Sequence, residues 1–150
     1  MNTKIPPPLQ ILIVVLLMWG SSYLLTTGGF DFQGQAYVAG LFAACGVVIL
    51  VIAIFSFREA QTTVNPLDPS ETTKLVVAGL YKFTRNPMYL GQLLLLTGIA
   101  IWLGNIFNVL LLLLFVWYIT LFQIKPEEEA LEKIFNDDYR AYKNRVRRWL

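Results

Sequence analysis

The sequence predicts an all-α, polytopic membrane protein: four transmembrane helices and a C-terminal amphipathic helix in a single membrane domain, residues 1–150. Three observations carry this. Apolar residues make up 56% of the chain, against roughly 45–50% for a soluble domain. Uncharged stretches run from Leu9 to Thr26, from Phe32 to Phe57 and from Met88 to Ile124, and one span needs about 20 apolar residues. Every Lys and Arg falls at the N-terminus (Lys4), between the second and third stretches (Arg58, Lys74, Lys82, Arg85), or from Lys125 onward.

Each element follows in order. Ile5-Pro6-Pro7-Pro8 is a stiff lead-in to a first span over 9–27. Its apolar stretch exceeds a signal-peptide core and no small-x-small cleavage pattern follows it, so it reads as retained. Trp19-Gly20-Ser21-Ser22-Tyr23 interrupts it with small residues suited to close helix packing. A second span covers 35–57. The segment 58–86 is a loop, punctuated by Asn65-Pro66 and Asp68-Pro69-Ser70, both turn signals. Asn86 is a good N-cap and Pro87 a good first residue for a third span over 87–103. Leu103-Gly104-Asn105 reads as a turn into a fourth over 106–124. Pro126 suits the start of a helix over 126–149, with Glu127, Glu128 and Glu129 in its first turn. Leu131, Phe135, Tyr139, Tyr142, Val146 and Trp149 recur at helical spacing, opposite a charged face. This helix is expected on the membrane surface or folded over the bundle mouth.

The positive-inside rule places both termini and the central loop in the cytoplasm. A net charge of +2 calls for no nucleic-acid partner. The lone cysteine, Cys45, precludes an intrachain disulfide, and the absence of histidine excludes His-based acid–base chemistry and His metal sites. No carboxylate cluster has metal-ligand spacing, so no metal is expected. A small multidrug-type transporter is an alternative of suitable size. It needs an ionisable group inside the membrane, and none of the four spans has one. A non-catalytic membrane adaptor is a further alternative, which leaves the polar set described next without a role.

That set begins in GLYKFTRNPMYLG, Gly79 to Gly91. Arg85 beside the N-terminus of the third span makes an anion site at the interface. Tyr89 and Gln92 lie three residues apart near one face of the same helix. Gly79 and Gly91 flank the motif and leave room for a ligand. Because the third and fourth spans form a hairpin, Arg85 and Asn86 must emerge beside Glu127 and Glu128. Converging cationic, amide and carboxyl groups suit a zwitterion.

Val77-Ala78-Gly79-Leu80-Tyr81, then Arg85-Asn86-Pro87-Met88-Tyr89-Leu90-Gly91, then Glu127-Glu128 with Leu131, Phe135, Tyr139, Tyr142 and Val146 form an ordered set. It resembles the membrane methyltransferases related to isoprenylcysteine carboxyl methyltransferase and phospholipid N-methyltransferases, over roughly Thr63 to Trp149. The resemblance implies S-adenosylmethionine as cofactor, S-adenosylhomocysteine as product, and a lipid or lipophilic small molecule as acceptor. It implies cofactor-binding roles for Val77, Gly79, Tyr81, Asn86, Pro87, Tyr89 and Glu128, and catalytic or acceptor-side roles for Arg85 and Glu127. The amides of 86–88 would suit the cofactor carboxylate, a glutamate its ammonium or ribose, and Tyr81 and Tyr89 its sulfonium or adenine. The loop and the C-terminal helix are expected to close over it. Asn86 stands where prenylcysteine enzymes carry His, and Gln123 where they carry Arg, which points away from a prenylcysteine carboxylate as acceptor.

Overall fold

In the computed structural model, which describes residues 6–59 and 74–150, proline opens the first and third helices. Proline fixes φ and lacks an N–H that a first helical turn could not use. α1 spans Pro7–Leu24, α2 Gln35–Glu59, α3 Pro87–Leu103, α4 Asn108–Ile119 and α5 Lys125–Arg145. α1, α2 and the continuous run Asn108–Arg145 are long and apolar enough to cross a membrane, and α3 is a shorter apolar helix. The chain is an all-α integral membrane protein, as its composition predicts. Within the expected loop, residues 60–73, with the turn signals and the proposed closure, lie outside the described residues.

α2 and α3 form the tightest seam, and glycine makes it possible. A Cβ on Gly46 would sit 2.6 Å from the backbone N of Leu95, and one on Gly98 would sit 2.7 Å from the Ala39 carbonyl oxygen. Such small-residue contacts let two helix backbones approach in a bilayer, where dispersion replaces the hydrophobic effect between helices. Met18 of α1, Leu96 and Ala100 of α3, and Phe115 and Ile119 of α4 form the buried centre. The turn between α3 and α4 uses Gly104 in the left-handed region at φ 59°. Asn105 Oδ1 then accepts the Phe107 N–H at 3.0 Å. This turn pairs with the α1–α2 connection through Phe30 N to Gly104 O, 2.7 Å, and Ile106 N to Gly28 O, 2.9 Å.

Several boundaries differ from the sequence expectation, the start of α1 at Pro7 rather than 9 and the end of α2 at Glu59 rather than 57 among them. α1 stops at Leu24 rather than 27, because Thr26–Gly28 tightens into a 3₁₀ turn. α4 starts at Asn108 rather than 106, because Asn105 and its neighbours are used by the turn. No new helix starts at Pro126: a π turn over Thr120–Ile124 joins α4 to α5 without a break. Pro126 cannot donate to the preceding turn, and a π turn is the local widening that accommodates such a mismatch. Nor is 126–149 one helix. Asn136, at φ 44° and ψ −116°, breaks α5, and the helix ends at Arg145 with Val146 extended. The break redirects the second half of α5 toward α3, and residues 146–150 continue as a non-helical tail.

Candidate functional site

Thr84 and Arg85 are held from two directions. A 3₁₀ turn, Gly79–Lys82, brings the chain into α3, with the Thr84 N–H donating to Leu80 O at 3.2 Å. The C-terminal tail lies alongside: the Arg85 N–H donates to Arg147 O at 3.0 Å, and Asn86 Nδ2 to Arg148 O at 3.0 Å. Asn86 occupies the N-cap position of α3, but its side chain makes no cap hydrogen bond, contrary to the sequence expectation. The tail carbonyl claims its amide instead. The anion site foreseen in the 86–88 amides shrinks accordingly. The Asn86 N–H donates to Thr84 Oγ1 at 3.2 Å and Pro87 has none, leaving that of Met88.

The Arg85 side chain is almost wholly engaged. Nε and Nη2 donate to Glu128 Oε1 at 3.2 and 2.7 Å. Nη1 donates to the carbonyls of Val146 and Lys143 at 2.6 and 3.2 Å. Arg148 grips the same carboxylate through Nε to Oε1, 3.1 Å, and Nη2 to Oε2, 2.7 Å. Glu128 and Arg85 are only 7% and 9% exposed, whereas Arg148 is 34% exposed. Burial alone would push the Glu128 carboxyl up. Hydrogen bonds from Arg148 and Arg85, with their charges, outweigh it and hold the group below the usual carboxylate range. The sequence offered little to single out Arg148, one of three closely spaced arginines near the C-terminus; only the return of the tail selects it.

Glu127, one residue earlier, faces a different environment. Its Oε1 accepts the Tyr89 hydroxyl at 2.8 Å, a contact between α3 and α5 inside a cavity of about 510 Å³. That volume lies within the range of small-molecule sites. Tyr81, Arg85, Asn86, Tyr89, Glu127 and Glu128 all line it, so the fold brings together six of the residues singled out by sequence. The other three do not line it. Val77 is exposed at 39%, Pro87 is buried against protein, and Gly79 serves a turn at φ 59°. Tyr81 is held by Phe57, edge-to-face at 5.5 Å, and its carbonyl accepts the Tyr142 hydroxyl at 2.7 Å. Burial, then the neighbouring Tyr142 and Glu127, pushes the Tyr81 phenol far up, so it stays a neutral hydroxyl. Burial likewise raises Tyr142 to about 12.

Sequence reading placed Tyr139 and Tyr142 on the apolar helix face and in the motif set but gave them no site role, yet both line the cavity. Their signal was the hydroxyl each carries on a face that needs none. The far wall is apolar and comes from the first half of the chain, which carried no motif: Pro7, Ile11, Leu50, Ile54 and Phe57. One end of the cavity can therefore hold charge and hydrogen bonds, and the other an apolar chain.

The family model described as phospholipid methyltransferase matches residues 35–138, which include Arg85 to Gly91 and both glutamates. The chain is 35% identical over 72 residues to a protein-S-isoprenylcysteine O-methyltransferase of Schizosaccharomyces pombe, covering 48% of this chain and 30% of that one. It is 27% identical over 111 residues to a probable protein-S-isoprenylcysteine O-methyltransferase of Oryza sativa subsp. indica, covering 74% and 58%. An uncharacterized Haemophilus influenzae protein is 49% identical over 63 residues, 42% of this chain and all of that one. The matches thus span 30% and 58% of the two named methyltransferases. No solved structure gives a significant match. The motif resemblance read from the sequence is borne out, and a match over residues 35–138 is most of the chain: it belongs to the phospholipid methyltransferase family of integral membrane methyltransferases.

Proposed function

We propose that this protein transfers a methyl group from S-adenosylmethionine to a lipophilic acceptor at the cytoplasmic face of the membrane, with both termini on that side. The observation that carries the reading is the two-sided cavity. Its polar end gathers Arg85, Asn86, Tyr89, Glu127 and Glu128, and its apolar wall is built by α1 and α2.

The donor set fits the cofactor. Glu127 can accept hydrogen bonds from an ammonium or a ribose diol. The faces of Tyr81 and Tyr89 suit a sulfonium or an adenine. When bound, the cofactor supplies an electrophilic methyl group on a positively charged sulfur. Held by Glu127, Tyr81 and Tyr89, it would offer that methyl group to a lone pair of the acceptor, its sulfur being the leaving group. Glu127 is placed to take the proton released by the acceptor, with the Tyr89 hydroxyl orienting its carboxyl group. Arg85 acts by position: pinned by Glu128 and two carbonyls, it fixes α5 against the start of α3. The displacement is in line, so orientation and exclusion of water supply most of the acceleration.

The test is calorimetric titration of S-adenosylhomocysteine into the protein in detergent, beside Glu127→Gln. Saturable binding, weakened about tenfold in the variant by loss of a charge-assisted contact, is expected. A folded protein that binds no S-adenosylhomocysteine overturns the reading.

A further inference from the structure

A second hollow, of about 390 Å³, is lined by Val77, Lys82, Tyr142, Arg145 and Val146. Tyr142 is the one side chain it shares with the larger cavity. Its walls come from two segments far apart in sequence. One is the lead-in to α3, and the other is the end of α5 with the residue that follows it. The Tyr142 hydroxyl, donating to Tyr81 O at 2.7 Å, joins the two.

The cations of this end divide into two groups. Arg85 and Arg148 are paired with Glu128, and Arg140 and Lys143 with Glu132. None of these four lines the hollow. The two cations that do are exposed and have no carboxylate partner among the described residues. Arg145 Nε reaches only the Ala141 carbonyl of its own helix, at 3.4 Å. No Asp or Glu lines the hollow. Two uncompensated cations sharing a concave surface attract an anion.

The surroundings say which kind of anion. Lys82 lies just before the start of α3 at Pro87, so it sits where an apolar helix meets the membrane surface. The next residue, Phe83, is 72% exposed, and Val77 on the hollow's own wall is 39% exposed. Exposed apolar side chains beside cations match the headgroup layer, where a phosphate lies next to glycerol and acyl chains. A small soluble anion would gain nothing from Val77, Val146 and Phe83.

We infer that this hollow is a lipid site: it seats the phosphate of an anionic phospholipid between Lys82 and Arg145, with the glycerol and acyl part against Val77, Val146 and Phe83. The bound headgroup bridges the lead-in to α3 and the end of α5, and so stabilises their docking. The site is separate from the methyl-transfer reading, and its test uses no cofactor.

The protein is placed in nanodiscs of phosphatidylcholine alone or with phosphatidylglycerol added. Melting temperatures are recorded, and native mass spectrometry counts the lipid kept on the protein after extraction into detergent. The wild type should keep phosphatidylglycerol in preference to phosphatidylcholine, and phosphatidylglycerol should raise its melting temperature by about 2–4 °C. Lys82→Gln combined with Arg145→Gln should cut phosphatidylglycerol retention about tenfold and abolish the rise. Lys82→Arg with Arg145→Lys keeps both charges and should keep both effects. Lys133→Gln, which removes an exposed cation of α5 outside the hollow, should change neither. Equal retention of the two lipids by the wild type overturns the inference. So does undiminished phosphatidylglycerol retention in the double Gln variant, or an equal loss in Lys133→Gln, which would reduce the effect to net charge. Inorganic phosphate added to the phosphatidylcholine discs is the last arm. A rise in melting temperature as large as that given by phosphatidylglycerol would overturn the lipid assignment in favour of a soluble phosphate.

Discussion

The two ends of the α3–α4 hairpin use their polar side chains in different ways. At the end formed by the α3–α4 turn, polar atoms meet one another. Ser21 Oγ donates to Asn108 Oδ1 at 2.7 Å, and Asn108 Nδ2 to Ser22 Oγ at 3.1 Å. Asn105 Nδ2 donates to Leu25 O at 2.8 Å, and Gln35 Nε2 to Ile101 O at 2.7 Å. Neither cavity-lining set draws on these residues. At the charged end, one group is matched in the same way, Arg85–Glu128–Arg148, and beside it Tyr89, Glu127 and Gln92 face a cavity. A bilayer supplies no water to satisfy stray polar atoms. Polar groups that pair among themselves therefore serve architecture, and those that open onto a cavity mark chemistry. The two adjacent glutamates both line the cavity and are held differently: two arginines grip Glu128, and Glu127 accepts the Tyr89 hydroxyl.

The largest effect should come from breaking the clamp. Glu128→Gln removes the carboxylate that pairs with the buried Arg85 and leaves its guanidinium on uncharged groups, which for a broken buried pair costs about 3 kcal/mol. A large fall in melting temperature is expected, together with at least tenfold weaker S-adenosylhomocysteine binding. The clamp also carries a pH signature. The ordinary value for this group is 4.5, and in the fold it is lower. The stabilisation is thus complete above the ordinary carboxylate range and is lost as pH falls through the lower folded value. Melting curves of the wild type should drop steeply on acidification, and those of Glu128→Gln should drop less. Parallel pH profiles would remove Glu128 as the source.

The opposite end should answer differently. Asn108→Ala empties a buried amide position and takes a partner from the half-buried Ser21 and Ser22, though Ser21 keeps the Met18 carbonyl, a cost of about 1–2 kcal/mol. Its melting temperature should fall while S-adenosylhomocysteine affinity holds, because nothing at that end reaches the cavity. A variant that lost ligand binding without losing stability would erase the distinction between the two ends.

Much of this division was legible in the sequence. Uncharged runs and the short Gly104–Asn105 turn force residues 85–89 and 127–128 to the same end, whatever the packing. What was not legible is tertiary. Asn86 has strong N-cap character, but the Arg148 carbonyl, 62 positions away, competes for its side chain and wins. Pro126 reads as a helix start, yet the π turn before it lets the helix run through. The apolar wall draws on Pro7, Ile11, Leu50 and Ile54, ordinary span residues whose local pattern differs in nothing from that of lipid-facing neighbours.

The smallest predicted effect concerns how the charged end closes. Asn136 at φ 44° and ψ −116° lies in a region where a side chain is strained and glycine is not. The break there aims the second half of α5 back at α3, which lets the Tyr142 hydroxyl reach Tyr81 O and the Val146 carbonyl reach Arg85. Asn136→Gly relieves the strain in the fold but loosens the unfolded chain, and the two terms oppose each other. With a positive φ the relief should win, for a net gain of about 0.5–1 kcal/mol and a melting temperature about 1–4 °C higher. Asn136→Ala keeps the strain and lacks an amide to offset it, so it should be no more stable than the wild type. If alanine stabilised more than glycine, the helix would run straight through residue 136. The tail could not then return to Arg85, and the charged end would resemble an open mouth rather than a clamped one.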